Sequence, residues 1–295
     1  PLNEPFSPLI QLYPKVKSPT QYRIPDEMTK EEYALVCANE IEDAILEIGV
    51  KNVAGFVAEP IGGASTGAEV PHDVYFPRVQ KICKQYNVPI ILDEVLTGIG
   101  RTGKMFGYNH WNIDTDVICL AKGLGAGYYP IGAIAAKNKY VQPVLDNGGF
   151  MHGFTYAGNP FGCAVARAVL ETIDEEKLVE NSKNQGAYLL QKIKTSAENY
   201  QWIGDVRGRG LLMAVEFADK DTKKPFPNSW QVGEAVTKVA YDLGLIVYPK
   251  KSLNGIAGDH VLVTPPLIIT REESDKLLNL LTQTFESYDK IIKSR

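Results

Sequence analysis

Cysteine is scarce in this chain, and its few cysteines lie far apart. Four occur in 295 residues, at Cys37, Cys83, Cys119 and Cys163, and none forms a CxxC pair or a Cys/His ligand cluster. This spacing argues against a disulfide framework and against a metal site, and it indicates reduced core thiols in a reducing compartment. We therefore expect a cytoplasmic protein without a metal, and a mitochondrial location stays open.

The sequence also lacks long apolar runs and an excess of positive charge. No run approaches the roughly 18 to 20 residues that cross a bilayer. The formal net charge of −4 provides no basic surface for nucleic acid. There is no initiator Met and no signal-peptide pattern, and residues 1–25 resemble an interior connecting segment. We expect neither a membrane nor a nucleic-acid partner.

What the sequence does contain is the alternation of an α/β protein. At 295 residues, on a prior of ~150 residues per domain, about two domains are expected. Short apolar runs separated by helical patterns predict a mostly parallel sheet with helices on both faces, its strands at 53–58, 88–93, 116–122 and 132–136. We assign residues 1–170 to a partial large domain, and 171–295 to a connecting helix and a small C-terminal α+β domain.

Hydrophobic periodicity and capping signals place the remaining elements. Helices are predicted at 29–48, 73–86, 160–173, 177–200, 231–243 and 272–292. Short strands are predicted at 215–217, 245–248 and 260–263. After residue 200 the regular alternation gives way to short strands mixed with helices, and for this reason we predict a second domain.

Two charged residues close neighbouring strands of the predicted sheet. Asp93 ends the run 88–93, and Lys122 ends the run 116–122. Open α/β sheets bind ligands at the carboxyl ends of their strands, so both side chains face one crevice. A lysine that forms a Schiff base and an acid that pairs with a pyridinium nitrogen are the protein groups of a pyridoxal phosphate (PLP) site. The alternative for Lys122 is a solvated lysine at a strand end.

Several motifs carry a resemblance to a known family. They are DEVLTGIGRTG from Asp93, AKG around Lys122, HGFTYAGNP at 152–160, GDVRGRGL at 204–211 and GDHVLVTPPLIIT at 258–270. Together they resemble the class III (omega) aminotransferases of PLP-dependent fold type I. The resemblance implies that transferase fold, PLP as cofactor and a homodimer with a shared active site. It also implies that the chain lacks the family's N-terminal segment.

The resemblance gives expected roles to five residues. Lys122 is the catalytic lysine that carries PLP as a Schiff base, and Asp93 keeps the pyridine nitrogen protonated. Val95 packs against the ring, and Thr155 reaches the cofactor phosphate from the partner subunit. Glu59 lies on the substrate side, and a structural cap at the end of its strand is an equal alternative.

Other residues of the motifs leave alternatives open. Gly98, Gly100 and Gly103 imitate a phosphate loop, but no helix pattern follows them, so we interpret them as turn residues. Leu96 stands where part of the family has a glutamine that contacts the cofactor. This difference favours the amine or omega-amino-acid branch.

Carboxylate recognition is another open point in the sequence. Arg207 and Arg209 are either clamps for a substrate carboxylate or braces at the domain junction. Several relatives carry a substrate-binding arginine just before the Gly-Asp pair, whereas residues 254–257 here contain none.

The expected function is a ping-pong amino transfer. An amine or omega-amino acid gives its nitrogen to PLP, and a keto acid such as pyruvate or 2-oxoglutarate takes it. The alternatives are a PLP-dependent aminomutase of the same fold and a non-catalytic fragment. A nucleotide-binding dehydrogenase is disfavoured because no early strand is followed by GxGxxG. We expect residues 1–295 alone to bind PLP weakly or not at all.

Overall fold

The computed structural model describes residues 4–251 and 258–294. Two four-stranded sheets organise this part of the chain. The first holds β1 Phe56–Ala58, β2 Ile90–Asp93, β3 Val117–Leu120 and β4 Ala133–Ala136, and the second holds β5 Ile203–Arg209, β6 Leu212–Phe217, β7 Tyr248–Lys250 and β8 Asp259–Val263. The helices are α1 Lys30–Ile48, α2 Tyr75–Tyr86, α3 Asn138–Asp146, α4 Pro160–Glu175, α5 Leu178–Ala197, α6 Val232–Asp242 and α7 Arg271–Ile292.

The first sheet has the strand order β1-β2-β3-β4. Strands β1, β2 and β3 are parallel, and Asp93 at the end of β2 lies opposite Cys119 of β3. Strand β4 pairs with β3 in the antiparallel direction, so the prediction that 132–136 continues the parallel alternation is wrong. The link from β3 to β4 holds a 3₁₀ turn and no α-helix. A parallel return needs a crossover, usually helical, so this chain reverses beside β3 instead.

Helices α1 and α2 cover the first sheet with one apolar side each. Helix α1 begins at a capping box, in which the Thr29 hydroxyl accepts the Glu32 N–H and the Glu32 carboxylate accepts the Thr29 N–H. It ends at Gly49, whose φ of 85° is a conformation that favours glycine. Its buried residues pack with those of α2 and the strands in one core, which includes Ile41, Ile45, Phe76, Val79, Leu92 and Trp111.

The second sheet is antiparallel, with the order β5-β6-β8-β7. All six residues of β6 are buried because helices cover one face of the second sheet and the core of the first sheet covers the other. Trp202 lies at the centre of an aromatic group on the helical face, with ring centroids 4.9 Å from Tyr288 and 5.5 Å from Phe217. The predicted strand at 245–248 is displaced, since β7 begins at Tyr248.

The two sheets share a continuous apolar contact. Leu212 and Ala214 of β6 and Leu262 of β8 are buried in the core of the first sheet rather than in that of the second. Alternate residues of a strand point to opposite faces, so β6 serves both cores. The second sheet is therefore fixed against the first.

Arg207 of β5 ties this junction together electrostatically. Its guanidinium lies 2.7 Å from Glu216, 2.9 Å from Asp205 and 3.1 Å from Glu69, and only 11% of the side chain is exposed. Burial raises the pKa of Glu216, but Arg207 and Arg23 outweigh it, and the pKa of Glu216 is lowered. Arg207 is thus occupied by the protein's own carboxylates, which supports the brace rather than the substrate clamp.

The cysteines differ in their exposure. Cys37 and Cys83 are buried, Cys119 is half-buried, and Cys163 on α4 is exposed. The expectation of four core thiols is therefore wrong for Cys163. All four are free thiols.

Within the described ranges, no helix combines the length and the apolar character that a bilayer span requires.

Candidate active site

Asp93 stands at the carboxyl end of β2, beside β3. Its Oδ1 accepts the backbone N–H of Val95 at 3.0 Å, which fixes the carboxylate at the strand end. Within the described part of the chain, no protein group donates a hydrogen bond to the other oxygen, Oδ2. The carboxylate is half-buried and keeps one oxygen for a further donor.

Lys122 follows β3 and begins a 3₁₀ turn that spans Lys122–Leu124. The strand ends at Leu120, so the prediction that it runs to Lys122 is wrong by two residues. The φ of Lys122 is +41°, in the left-handed region that non-glycine residues seldom adopt. Its carbonyl accepts the N–H of Ala126 at 3.0 Å, which holds the turn closed, and the side chain is exposed.

Glu59 stands directly after β1, at the same edge of the sheet. Its Oε2 accepts the backbone N–H of Gly63 at 3.1 Å. The residue keeps contact with solvent, yet the protein around its carboxylate excludes enough water to raise the pKa of Glu59. The negative charge of Asp93 raises this pKa further, whereas the Gly63 N–H and the Lys122 ammonium lower it.

These three side chains meet at one edge because three parallel strands end there. Strand β2 lies between β1 and β3, so Asp93 stands between Glu59 and Lys122. In keeping with this order, the Asp93 charge raises the pKa of Glu59 and the Lys122 charge lowers it. The structure therefore brings together an amine and two carboxylates, which is a set suited to binding and moving protons on a small molecule.

A large apolar cavity borders Lys122. Its volume is about 1300 Å³, and neither Asp93 nor Glu59 lines it. The wall consists of the turn after Lys122, helix α4 and the segment after β8, through residues such as Tyr129, Phe161, Val165, Ile173 and Leu267. The Tyr129 and Phe161 rings meet edge to face at 5.4 Å between centroids. Lys122 thus lines a space larger than most small-molecule pockets.

Val95, Thr155 and Leu96 are the remaining residues that the sequence singles out for the site. Val95 is half-buried, and its backbone orients Asp93. Thr155 is exposed in a turn at 155–158 and does not line the cavity at Lys122. Leu96 packs near Glu59, since a Cβ built on Gly63 would lie 3.3 Å from its Cδ2. Within this chain, Thr155 therefore shares no cavity wall with Lys122.

Residues 254–257, where the sequence holds no arginine before the Gly-Asp pair, fall in a part of the chain outside the described residues.

Glu94 is a buried neighbour of Asp93 whose contacts sequence reasoning missed. It is 1% exposed, and its carboxylate accepts the Thr97 hydroxyl at 2.5 Å, the Gly107 N–H at 2.8 Å and the Tyr108 N–H at 2.9 Å. Burial raises the pKa of Glu94, and these three donors partly offset that effect. Glu94 thereby fastens the loop after Asp93. The available signal was an acid followed three residues later by a threonine.

The glycines of the loop after Asp93 have structural roles. Gly100 and Gly103 have φ values of 84° and 83°, and a Cβ on Gly103 would lie 2.9 Å from the Lys183 Cα of α5. Gly103 therefore allows both a left-handed turn and a close approach of a helix. This geometry agrees with turn residues rather than with a phosphate-binding loop.

The donor set fits a pyridine cofactor better than a metal ion. In residues 4–251 and 258–294, no three His, Cys, Asp or Glu side chains are grouped as metal ligands would be. The free Oδ2 of Asp93 suits a ring N–H, and the exposed Lys122 amine suits an aldehyde. Lys122 and Asp93 would hold such a group from neighbouring strand ends.

The fold and this donor set define a PLP-dependent transferase of fold type I. Residues 2–285 match the family described as Aminotransferase class-III. The chain belongs to the class-III aminotransferases, and PLP is the cofactor of that family. The fold class and the family predicted from the sequence are confirmed.

Individual relatives agree with this assignment. The chain is 38% identical over 291 residues to the uncharacterized aminotransferase YodT of Bacillus subtilis, which covers 98% of this chain and 65% of YodT. It resembles the solved (S)-enantioselective omega-transaminase of Thermomicrobium roseum with a TM-score of 0.85 at 35% identity, over 92% of this chain and 59% of that one. An amine transaminase from an uncultivated Pseudomonas species, solved in the PLP-bound form, matches with a TM-score of 0.84 at 33% identity, over 92% and 61% of the two chains.

In all three comparisons the match covers most of this chain but a smaller share of the relative. The chain spans 65% of YodT and 59% and 61% of the two solved transaminases. Family membership therefore concerns this chain, whereas the activity of the whole protein is a matter for proposal.

Proposed function

We propose that the protein containing this chain transfers an amino group from an amine or omega-amino acid to a keto acid such as pyruvate or 2-oxoglutarate. The observation that carries the proposal is the placement of Lys122, Asp93 and Glu59 at the ends of three adjoining strands. The family of the chain and the omega-transaminase among its structural relatives support it.

The cofactor would bring the reactive carbonyl and the ring. When bound, PLP supplies the aldehyde that accepts nitrogen and an electron sink for the pair left when the substrate loses a proton. Asp93 would hold a proton at the ring nitrogen through Oδ2, because its Oδ1 is fixed by the Val95 N–H. Val95 would pack near the ring.

Lys122 would attach to the cofactor and would move the substrate proton. The two neighbouring carboxylates would keep the Lys122 amine close to the sheet edge. The open cavity next to Lys122 would give the substrate access to this amine. Glu59 would face the substrate amine from the other side of Asp93.

We further propose that a second copy of the chain completes the site. Large apolar side chains are exposed around the turn that carries Thr155, and they include Phe150, Met151, Phe154, Tyr156 and Phe161. An exposed patch of this kind marks an association surface. A homodimer would cover it and would bring Thr155 to the phosphate of the partner's cofactor.

The test is an amino-donor screen on the full-length protein with pyruvate or 2-oxoglutarate as acceptor. The wild type is expected to convert donor and acceptor together, and Lys122→Ala is expected to lose a factor of about 10² to 10⁴ in rate, because it removes the proton-transfer group. The exposed Lys81 of α2 provides the control variant Lys81→Ala, which should keep the wild-type rate. Full activity of Lys122→Ala, or turnover that needs no keto acid, would contradict the proposal.

A further inference from the structure

The loop of residues 62–69, here called the glycine loop, connects Glu59 to the second sheet. The Gly62 N–H donates to the Glu69 carbonyl at 2.7 Å and closes the loop, and the Gly67 N–H donates to the Gly63 carbonyl at 3.0 Å inside it. These two bonds make the loop a compact unit.

The second sheet holds one side of the glycine loop. His260 of β8 is 2% exposed, and its Nε2 lies 2.9 Å from the Ala64 carbonyl. Arg207 of β5 donates from Nη2 to the Thr66 carbonyl at 2.7 Å. A Cβ on Gly67 would lie 2.8 Å from the His260 ring, so no space remains between loop and sheet.

The other side of the glycine loop holds Glu59. The Gly63 N–H that donates to the Glu59 carboxylate belongs to the residue directly before Ala64, which His260 holds. A Cβ on Gly63 would lie 2.5 Å from Glu59 Oε1, so the carboxylate lies directly against the loop backbone. A displacement of Ala64 therefore changes the position of the carboxylate.

We propose that His260 is a positioning residue for the amino-transfer reaction: by holding the Ala64 carbonyl it fixes the Gly63 N–H, and thereby the Glu59 carboxylate, beside Lys122. The residue touches neither the amine nor the two carboxylates and acts through the loop. The catalytic consequence rests on the proposed function.

The charged groups around His260 and Glu59 are compatible with this positioning role. Burial lowers the pKa of His260, and nearby Arg207 lowers it too, whereas the backbone groups of Ala64 and Gly258 and the Glu216 carboxylate raise it. At the Ala64 contact Nε2 is the donor, because a carbonyl can only accept. Glu59 faces Asp93, Lys122 and the Gly63 N–H.

Hydrogen–deuterium exchange on the full-length protein tests the contact without any catalysis. His260→Leu removes the donor, and exchange in a peptide covering 60–69 is expected to rise about fivefold, as the loss of one hydrogen bond implies. His260→Gln keeps a donor near the Nε2 position and should exchange like the wild type. The matched control is His110→Leu, since His110 Nε2 also lies 3.1 Å from a carbonyl, that of Thr102, outside the loop.

A kinetic cycle tests whether His260 acts through Glu59. His260→Leu is expected to lower kcat/KM about tenfold in the wild type and less than about twofold in the Glu59→Gln background, because coupled residues are not additive. His260→Gln should restore most of the loss. Gly63→Ala approaches the same carboxylate from the loop side and should reproduce the loss even where His260→Leu folds poorly.

The possible failures are distinguishable. A wild type that transfers no amino group with any donor overturns the proposed function. A wild type that does so, combined with an equal His260→Leu effect in both backgrounds or with unchanged exchange at 60–69, overturns the positioning role alone. A loss of kcat/KM that disappears in the Glu59→Gln background, with faster exchange of the loop, supports it.

Discussion

His110 shows how a single side chain links folding to pH. Burial lowers the pKa of His110 to about 4, and Arg209 and Lys104 act in the same direction, whereas the Thr102 carbonyl and Asp73 oppose them. The unfolded ring titrates near pH 6.5. A base with a lowered pKa in the folded state stabilises the fold above its unfolded pKa, and this contribution is lost as the pH falls toward the folded value.

We therefore expect the free energy of unfolding to fall between pH 7 and pH 5, by on the order of 1 kcal/mol from this partly solvated group. His110→Gln should remove that part of the slope. Urea titrations at the two pH values measure it, with exposed His152→Gln as the control. An unchanged slope in His110→Gln would show that other groups account for the pH dependence.

At the residue scale, the sequence predicts only groups that have a local signal. Asp93 and Lys122 were found because each follows an apolar run and precedes a glycine-rich segment. The role of His260 was not found, because its partner Ala64 is 196 positions away and only folding brings them together. Arg207 was open between two roles for the same reason, since its partner Thr66 is 141 positions distant.

Helix α1 offers a test at the element scale. Its capping box joins Thr29 and Glu32 through two backbone contacts at 2.8 and 3.2 Å. Thr29→Ala is expected to lower the free energy of unfolding by about 1 kcal/mol, because the Glu32 N–H loses its acceptor and the Glu32 carboxylate loses the Thr29 hydroxyl. Thr29→Ser keeps the hydroxyl and should lose much less.

Thermal unfolding of the wild type, Thr29→Ala and Thr29→Ser measures the contribution of the cap to stability. Helix α7 begins with the same arrangement at Thr270 and Glu273, so Thr270→Ala should behave alike. Equal stability of the alanine and serine variants would show that solvent replaces the cap.

Elements with strong periodicity were predicted well, and others were not. The helix from 272 to 292 differs from α7 by one residue at its start because its apolar stripe is regular. Strand β5 was missed because IGDVRGR holds two glycines and two arginines, and its pairing with β6 overrides that weak propensity. The direction of β4 depends on its partner, which the local sequence does not contain.

The whole molecule depends on the junction of the two sheets. Arg207→Leu is expected to lower the free energy of unfolding by about 3–5 kcal/mol, because it leaves the buried Glu69 carboxylate without its counterion and the buried Glu216 carboxylate with Arg23 alone. Arg209→Leu is the matched control, since Arg209 pairs with Asp73, whose side chain is 78% exposed, and should cost below about 1 kcal/mol. Urea unfolding compares the two, and equal losses would contradict the brace at Arg207.

The large cavity beside Lys122 leads to a prediction about the chain by itself. Lys122 is exposed, and the apolar wall of helix α4 is open next to it. We expect residues 1–295 by themselves to bind PLP weakly or not at all. Titration with PLP, followed by visible absorbance and compared with Lys122→Ala, should show no difference between the two proteins. A saturable band that depends on Lys122 would contradict this expectation.

The left-handed backbone at Lys122 has a consequence for protein engineering. A non-glycine residue in that region stores strain on the order of 1–3 kcal/mol, which glycine would release. Selection of variants for heat resistance alone would thus enrich glycine at position 122 and discard the amine. A library of variants designed to raise thermal stability should therefore keep lysine at position 122.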